Sequence, residues 1–181
     1  INAWRGHKRE NQDFFFKKGV YLEVKTTAQK EHRNVIINNE KQLDDRGLKK
    51  LYLYVLCIKK LEDSGTSLNE LIEEIRTKFS GSNDKTKFND FLFDAGYFDH
   101  HTSIYENIKY IEDKELIYQV DENMPRLIDE HLPNGVALNS YNIVLSACES
   151  NLIQTEKAIE EIVNYANWKY WSILYRYYKY C

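Results

Sequence analysis

Residues 51–58 read LYLYVLCI, with no polar interruption apart from the two tyrosine hydroxyls. A strand with one wet face alternates apolar and polar positions. A run this continuous and rich in β-formers belongs to a strand covered on both faces. Such a strand needs a layer of structure above and below its sheet. The expected class is therefore α/β (α+β), with a central mixed sheet flanked by helices.

The stretches around that strand fit the same class. Residues 12–16 form a short apolar strand, Lys17-Lys18-Gly19 a hairpin turn with Gly19 supplying a positive φ, and residues 20–27 a second strand. In that second strand Val20, Leu22 and Val24 point to one face, and Tyr21, Glu23 and Lys25 to the other. Residues 34–38 predict a third strand, and the polar stretch 39–47 a short helix stopped by Gly47. Ser67-x-x-Glu70 is a capping box that opens a helix carrying Leu68, Leu71, Ile72, Ile75 and Phe79 at helical spacing. Residues 86–95 predict a second helix, with Phe88, Phe91, Leu92 and Ala95 inward. Strands are expected over 115–120 and 136–145, with turns at Met124-Pro125-Arg126 and Leu132-Pro133-Asn134-Gly135 between them. The stretch Ile1–Gly6 reads as the end of a helix, so a helix is expected upstream of Ile1.

Composition narrows the function classes. No window of about 18 apolar residues exists, so no membrane span is expected. Cys57, Cys148 and Cys181 are an odd, widely spaced set with no metal-ligand pattern, which fits reduced thiols in a cytoplasm. The net charge of -3 hides an asymmetry. Residues 1–60 carry 14 Lys and Arg against 7 Asp and Glu, a net of +7, and residues 61–181 carry 11 against 21, a net of -10. That division suits one basic face prepared for a polyanion, with chance clustering of charge as the competing reading. Lys17, Lys18, Lys30, Arg33 and Lys41 are the candidates to line nucleic-acid phosphates.

The chemistry sits in the first hairpin. Asp13 stands at the head of one apolar run, and Glu23 and Lys25 share a face of the next strand, about 7 Å apart along it. Two carboxylates from neighbouring strands, with the Val24 carbonyl as a third oxygen, make a hard-cation site for Mg²⁺ or Mn²⁺. On the same face Lys25 can hold or deprotonate a water, or neutralise charge at a scissile phosphate. A plain surface Glu–Lys pair, worth well under ~1 kcal/mol, is the competing reading of the same residues.

The segments Trp4-x-Gly6, Gln12-Asp13-Phe14, Leu22-Glu23-Val24-Lys25-Thr26-Thr27 and Gln42-Leu43 resemble the PD-(D/E)XK proteins of the restriction-endonuclease-like superfamily. They are most similar to a bacterial group encoded beside phage-defence and restriction-modification genes. Gly96-Tyr97, Met124-Pro125-Arg126-Leu127 and Leu132-Pro133-x-Gly135-Val136 fit the same group, so the resemblance spans roughly residues 1–145. It implies that Asp13 and Glu23 bind the metal, that Lys25 is the catalytic lysine, and that Gln42 lies near the active site. Gln12 stands where the motif has proline, and the further acid often found on a preceding helix would lie upstream of Ile1.

The resulting expectation is a nuclease domain over residues 1–150 and an aromatic-rich C-terminal helix over 151–181. Tyr165, Trp168, Trp171, Tyr175 and Tyr178 on that helix suit a homodimer or partner contact. The implied activity is metal-dependent DNA cleavage in a defence system with other subunits. The alternative is an inactive nuclease-fold module that binds DNA or assembles with partners.

Overall fold

The structure is a computed structural model describing residues 3–8, 10–29, 31, 33–137 and 140–166. In chain order the elements are β1 (Phe14–Phe16), β2 (Val20–Thr27), β3 (Asn34–Ile37), β4 (Lys50–Leu61), β5 (Thr66–Ser67), α1 (Leu68–Lys78), α2 (Ser82–Asp94), α3 (Thr102–Glu106), β6 (Lys109–Val120), β7 (Tyr141–Val144), β8 (Leu152–Ile153) and α4 (Thr155–Ala166). The main sheet runs β1-β2-β4-β6-β5, with β8 also paired to β6. β2 and β4 are parallel and every other pair is antiparallel, so the sheet is mixed as expected.

The LYLYVLCI run is the centre of this sheet. Leu51 to Ile58 are all buried, between β2 on one side and β6 on the other. Its two faces serve two cores. Tyr52, Tyr54, Leu56 and Ile58 join Val20, Leu22 and Val24 beneath the helices, which contribute Leu71, Ile72, Ile75, Phe88, Leu92, Ala158 and Ile162. Leu51, Leu53, Val55 and Cys57 face the opposite layer, built from Val35, Ile37, Leu43, Met124, Ile143, Leu145 and Cys148. The continuous apolar run follows from this double coverage.

The capping box forms as read. Ser67 Oγ accepts from the Glu70 N–H, and the Glu70 carboxylate accepts from the Ser67 N–H. At the hairpin turn Gly19 has φ 79°, and Lys18 takes φ 65° beside it. A side chain in the left-handed region is uncommon, and Lys18 gave no signal of it in sequence.

The third strand forms, as β3, and pairs with β7 as a separate two-stranded ribbon, while β2 and β4 pair directly. Several expectations are corrected. Residues 39–47 form a succession of turns rather than a helix. The cause is local, because Asn39 Oδ1 accepts from the backbone N–H groups of Lys41 and Gln42, and Asp44 Oδ1 from that of Arg46. Short polar side chains that take backbone donors in this way compete with a helix ladder. The expected strand over 136–145 shortens to β7, which has only the four residues of β3 to pair with. The strand over 115–120 lengthens into β6, because the tail of β4 offers backbone as far as Leu61. α2 begins earlier than expected, at Ser82, and its Ala95 C-cap is exposed rather than inward. Of the stretch read as a helix end, Trp4 instead makes an antiparallel bridge to Phe14 and is buried, while Ile1 and Asn2 lie outside the described residues. Among the described residues no helix is long and apolar enough to cross a membrane. The C-terminal helix, expected from residue 151, begins at Thr155, because Leu152–Ile153 pair with β6 as β8; α4 buries Ala158 and Ile162, and the aromatic positions Trp168, Trp171, Tyr175 and Tyr178 lie outside the described residues.

Candidate active site at the first hairpin

Phe14 pairs with Leu22, so Asp13 stands opposite Glu23 at the open end of the hairpin. Residues directly opposite on paired strands present their side chains to one face. The start of the chain fixes Asp13 there, since the backbone N–H groups of Arg5 and Gly6 both donate to its carbonyl, at 2.7 and 3.2 Å. Asp13 Oδ2 accepts from the Val24 N–H at 2.9 Å. In an extended strand the N–H and C=O of one residue open on the same edge. The Val24 carbonyl therefore opens on the Asp13 side.

Glu23 is fully buried, on the face that also carries Leu53. Lys25 Nζ lies 2.8 Å from Glu23 Oε1. The pair is close, yet neither Glu23 oxygen is held by a hydrogen bond of good geometry. Burial pushes the Glu23 carboxyl up to about 8, and the nearby Asp13 charge adds to the rise; Lys25 and the Asp13 backbone N–H oppose it. A buried carboxylate compensated only in part is costly, and binding a proton or a cation relieves that cost.

Lys25 is shared. Its Nζ donates to Gln42 Oε1 at 2.8 Å, and the same oxygen accepts from the Asn38 N–H at 2.8 Å. Gln42 thus reaches Lys25, from a turn and not from the expected helix. Asp13, Glu23, Val24, Lys25 and Gln42 come together. The basic candidates do not. Lys41 is exposed beside Gln42. Lys17 and Lys18 sit at the closed end of the hairpin, beyond Val20, which is itself three residues or about 10 Å from Glu23 along β2. Arg33 opens β3 at the end away from Asn38 and pairs with Glu31. Lys30 lies outside the described residues.

The sequence did not single out Gln12 or Arg126 for the site, although both hold the Gln42 turn. Nor did it point to Tyr141, whose hydroxyl is raised by burial first, with Glu23 and Glu40 among the nearby charges. Their signals were weak: a polar residue in a motif's proline position, an arginine in a turn, and one tyrosine among many.

Asp13 and Glu23 offer carboxylate oxygens and Val24 a backbone carbonyl, the hard donors that Mg²⁺ or Mn²⁺ prefers. The buried oxygens of Glu23, one of them 2.8 Å from Lys25 Nζ and neither in a well-formed hydrogen bond, fit a cation. Among the described residues no group of three or more His, Cys, Asp or Glu gathers into a metal cluster.

A mixed sheet carrying two acids and a lysine at one strand end is the framework of a nuclease-like protein. A family model described as "Putative PD-(D/E)XK family member, (DUF4420)" matches residues 1–146, and the chain belongs to that family. Its fold is accordingly the restriction-endonuclease-like one. No curated protein and no solved structure matches the chain.

Proposed function

We propose that the protein is a metal-dependent endodeoxyribonuclease of a bacterial restriction or phage-defence system, hydrolysing phosphodiester bonds in DNA. The observation that carries this reading is Glu23: a fully buried carboxylate, without a well-formed hydrogen bond on either oxygen, beside a second acid and a lysine. Removing such a group from water costs several kcal/mol, and its 2.8 Å contact with Lys25 offsets this only in part. Stability alone gives no reason to keep it.

Asp13, Glu23 and the Val24 carbonyl would hold Mg²⁺ or Mn²⁺. When bound, the ion supplies an activated water and stabilises charge on the phosphoryl oxygens. The rest falls to the chain itself. Asp13 fixes the end of the site through its bond to the Val24 N–H. Glu23 gives up its proton to become a ligand. Lys25, pinned by Gln42, orients the attacking water or faces the charge that develops on the phosphate. Lys41, next to Gln42, is the exposed cation best placed to meet a phosphate flanking the cut.

The test is cleavage of plasmid DNA by the purified chain with Mg²⁺ or Mn²⁺. The expected result is nicking that EDTA stops and that Lys25→Ala abolishes without lowering the melting temperature. Cleavage that survives in Lys25→Ala sinks the assignment. Salt-sensitive DNA binding with no cleavage under either metal would mark the inactive binding module instead. For the defence role, cells carrying the wild-type chain should resist phage and cells carrying Lys25→Ala should not.

A further inference from the structure

Gln42 Oε1 has two lone pairs, and both are used: one by Lys25 Nζ and one by the Asn38 N–H. The placing of Lys25 therefore depends on where the Gln42 backbone is held. That backbone lies in a turn with no helix ladder to fix it. Side chains do so instead. Asn39 grips the turn from within. Gln12 Nε2 reaches across from the hairpin and donates to the Lys41 carbonyl at 2.8 Å and the Gln42 carbonyl at 3.4 Å. Arg126 donates from Nη1 to the Leu43 carbonyl at 2.7 Å and from Nη2 to Asp45 Oδ1 at 2.9 Å. The Arg126 side chain is only 8% exposed, so these charge-assisted bonds are shielded from water.

We propose that Gln12 and Arg126 are positioning residues, a two-point clamp on the Gln42 turn that sets Lys25 against Glu23. The proposal rests on the nuclease reading for its catalytic consequence. It also gives the departure from the motif a purpose. A proline at position 12 has no side-chain amide and cannot make the bonds to the Lys41 and Gln42 carbonyls. Gln12 surrenders the rigidity of proline and gains a grip on the turn that carries the lysine's partner. The arrangement is a supporting shell for a functional group, and loosening such a shell by about 1 Å is enough to slow chemistry by about 100-fold.

The test uses the whole chain and the variants Gln12→Ala, Arg126→Met and Arg126→Lys. Amide hydrogen exchange read by NMR at Asn38 reports directly on Gln42 Oε1, with the Val24 amide, held by Asp13, as the internal control. In Gln12→Ala and Arg126→Met the Asn38 amide should exchange at least about tenfold faster while Val24 is unchanged. Single-turnover cleavage at saturating DNA should fall about 10- to 100-fold with DNA affinity kept. Arg126→Lys, which keeps the charge and loses the fork, should fall between Arg126→Met and wild type. Wild-type protection of Asn38 in both Gln12→Ala and Arg126→Met overturns the clamp, as does a cleavage loss no larger than the loss of folded protein. If Arg126→Met does not fold, Gln12→Ala decides alone. If the wild-type chain cuts no DNA, the nuclease reading fails, and the exchange result still decides the clamp.

Discussion

Lys25 and Gln42, 17 residues apart in the chain, meet at 2.8 Å across the face of the sheet. The same amide oxygen takes the Asn38 N–H, so one side chain ties a strand end to the lysine of the motif. Replacing it with an apolar residue of similar size leaves a backbone donor unpaired in a part-buried place. Gln42→Leu should cost about 1–3 kcal/mol, read as a lowered urea midpoint. A midpoint unchanged from wild type would mean that water replaces the amide freely and that Gln42 is no anchor.

Glu23 makes stability depend on pH with a definite sign. Its carboxyl titrates near 8 in the folded chain against an ordinary value of 4.5, chiefly because it is buried. Between those two values the folded state binds more protons than the unfolded one, so stability falls as pH rises and levels off above about 8. Glu23→Gln cannot titrate and should flatten this slope. Urea midpoints at pH 5 and pH 8 in EDTA check it, and an equal slope in wild type and Glu23→Gln refutes the burial of an ionisable group here.

A cation that binds Asp13 and Glu23 takes the place of the proton on Glu23. Mn²⁺ should therefore raise the melting temperature of the wild-type chain, and more strongly at pH 8 than at pH 6. Asp13→Asn and Glu23→Gln should each remove the shift. Calorimetric scans with and without the metal make the comparison, and a shift that persists in both variants places the metal elsewhere.

Lys41 and the turn lysines should separate in their effects on DNA. Lys41→Ala should lower the salt slope of DNA binding by about one and also slow cleavage, because it flanks Gln42. Lys17→Ala and Lys18→Ala, at the far end of the hairpin, should leave single-turnover cleavage unchanged within about twofold at saturating DNA. A reversed order would put the substrate along the hairpin turn.

Much of the framework was legible. The continuous run at Leu51 to Ile58, the alternation of β2 and the Ser67–Glu70 capping box all act through near neighbours, and all formed. The Asn39–Gly47 turn was misread because its polar side chains suit a helix surface as well as Asx turns, and which wins depends on where the donors lie. The partner of β3 was not legible, for a different reason. An apolar run of four residues says that a strand is buried, and nothing in it says which strand will be its partner.

The sequence by itself determined that Asp13, Glu23 and Lys25 would share a face, because strand alternation and hairpin register are local rules with a period of two. It also determined that the strand behind them would be covered on both sides. Only the tertiary structure decided that Glu23 would be stripped of water, that Gln42 would arrive from a turn to hold Lys25, and that Gln12 and Arg126 would hold the turn. Those contacts join residues 17 to 83 positions apart, and their distances follow from how β4 and the ribbon of β3 and β7 stack. Desolvation is a property of the packed layers around a group, so no pattern within one strand could set the charge state of Glu23.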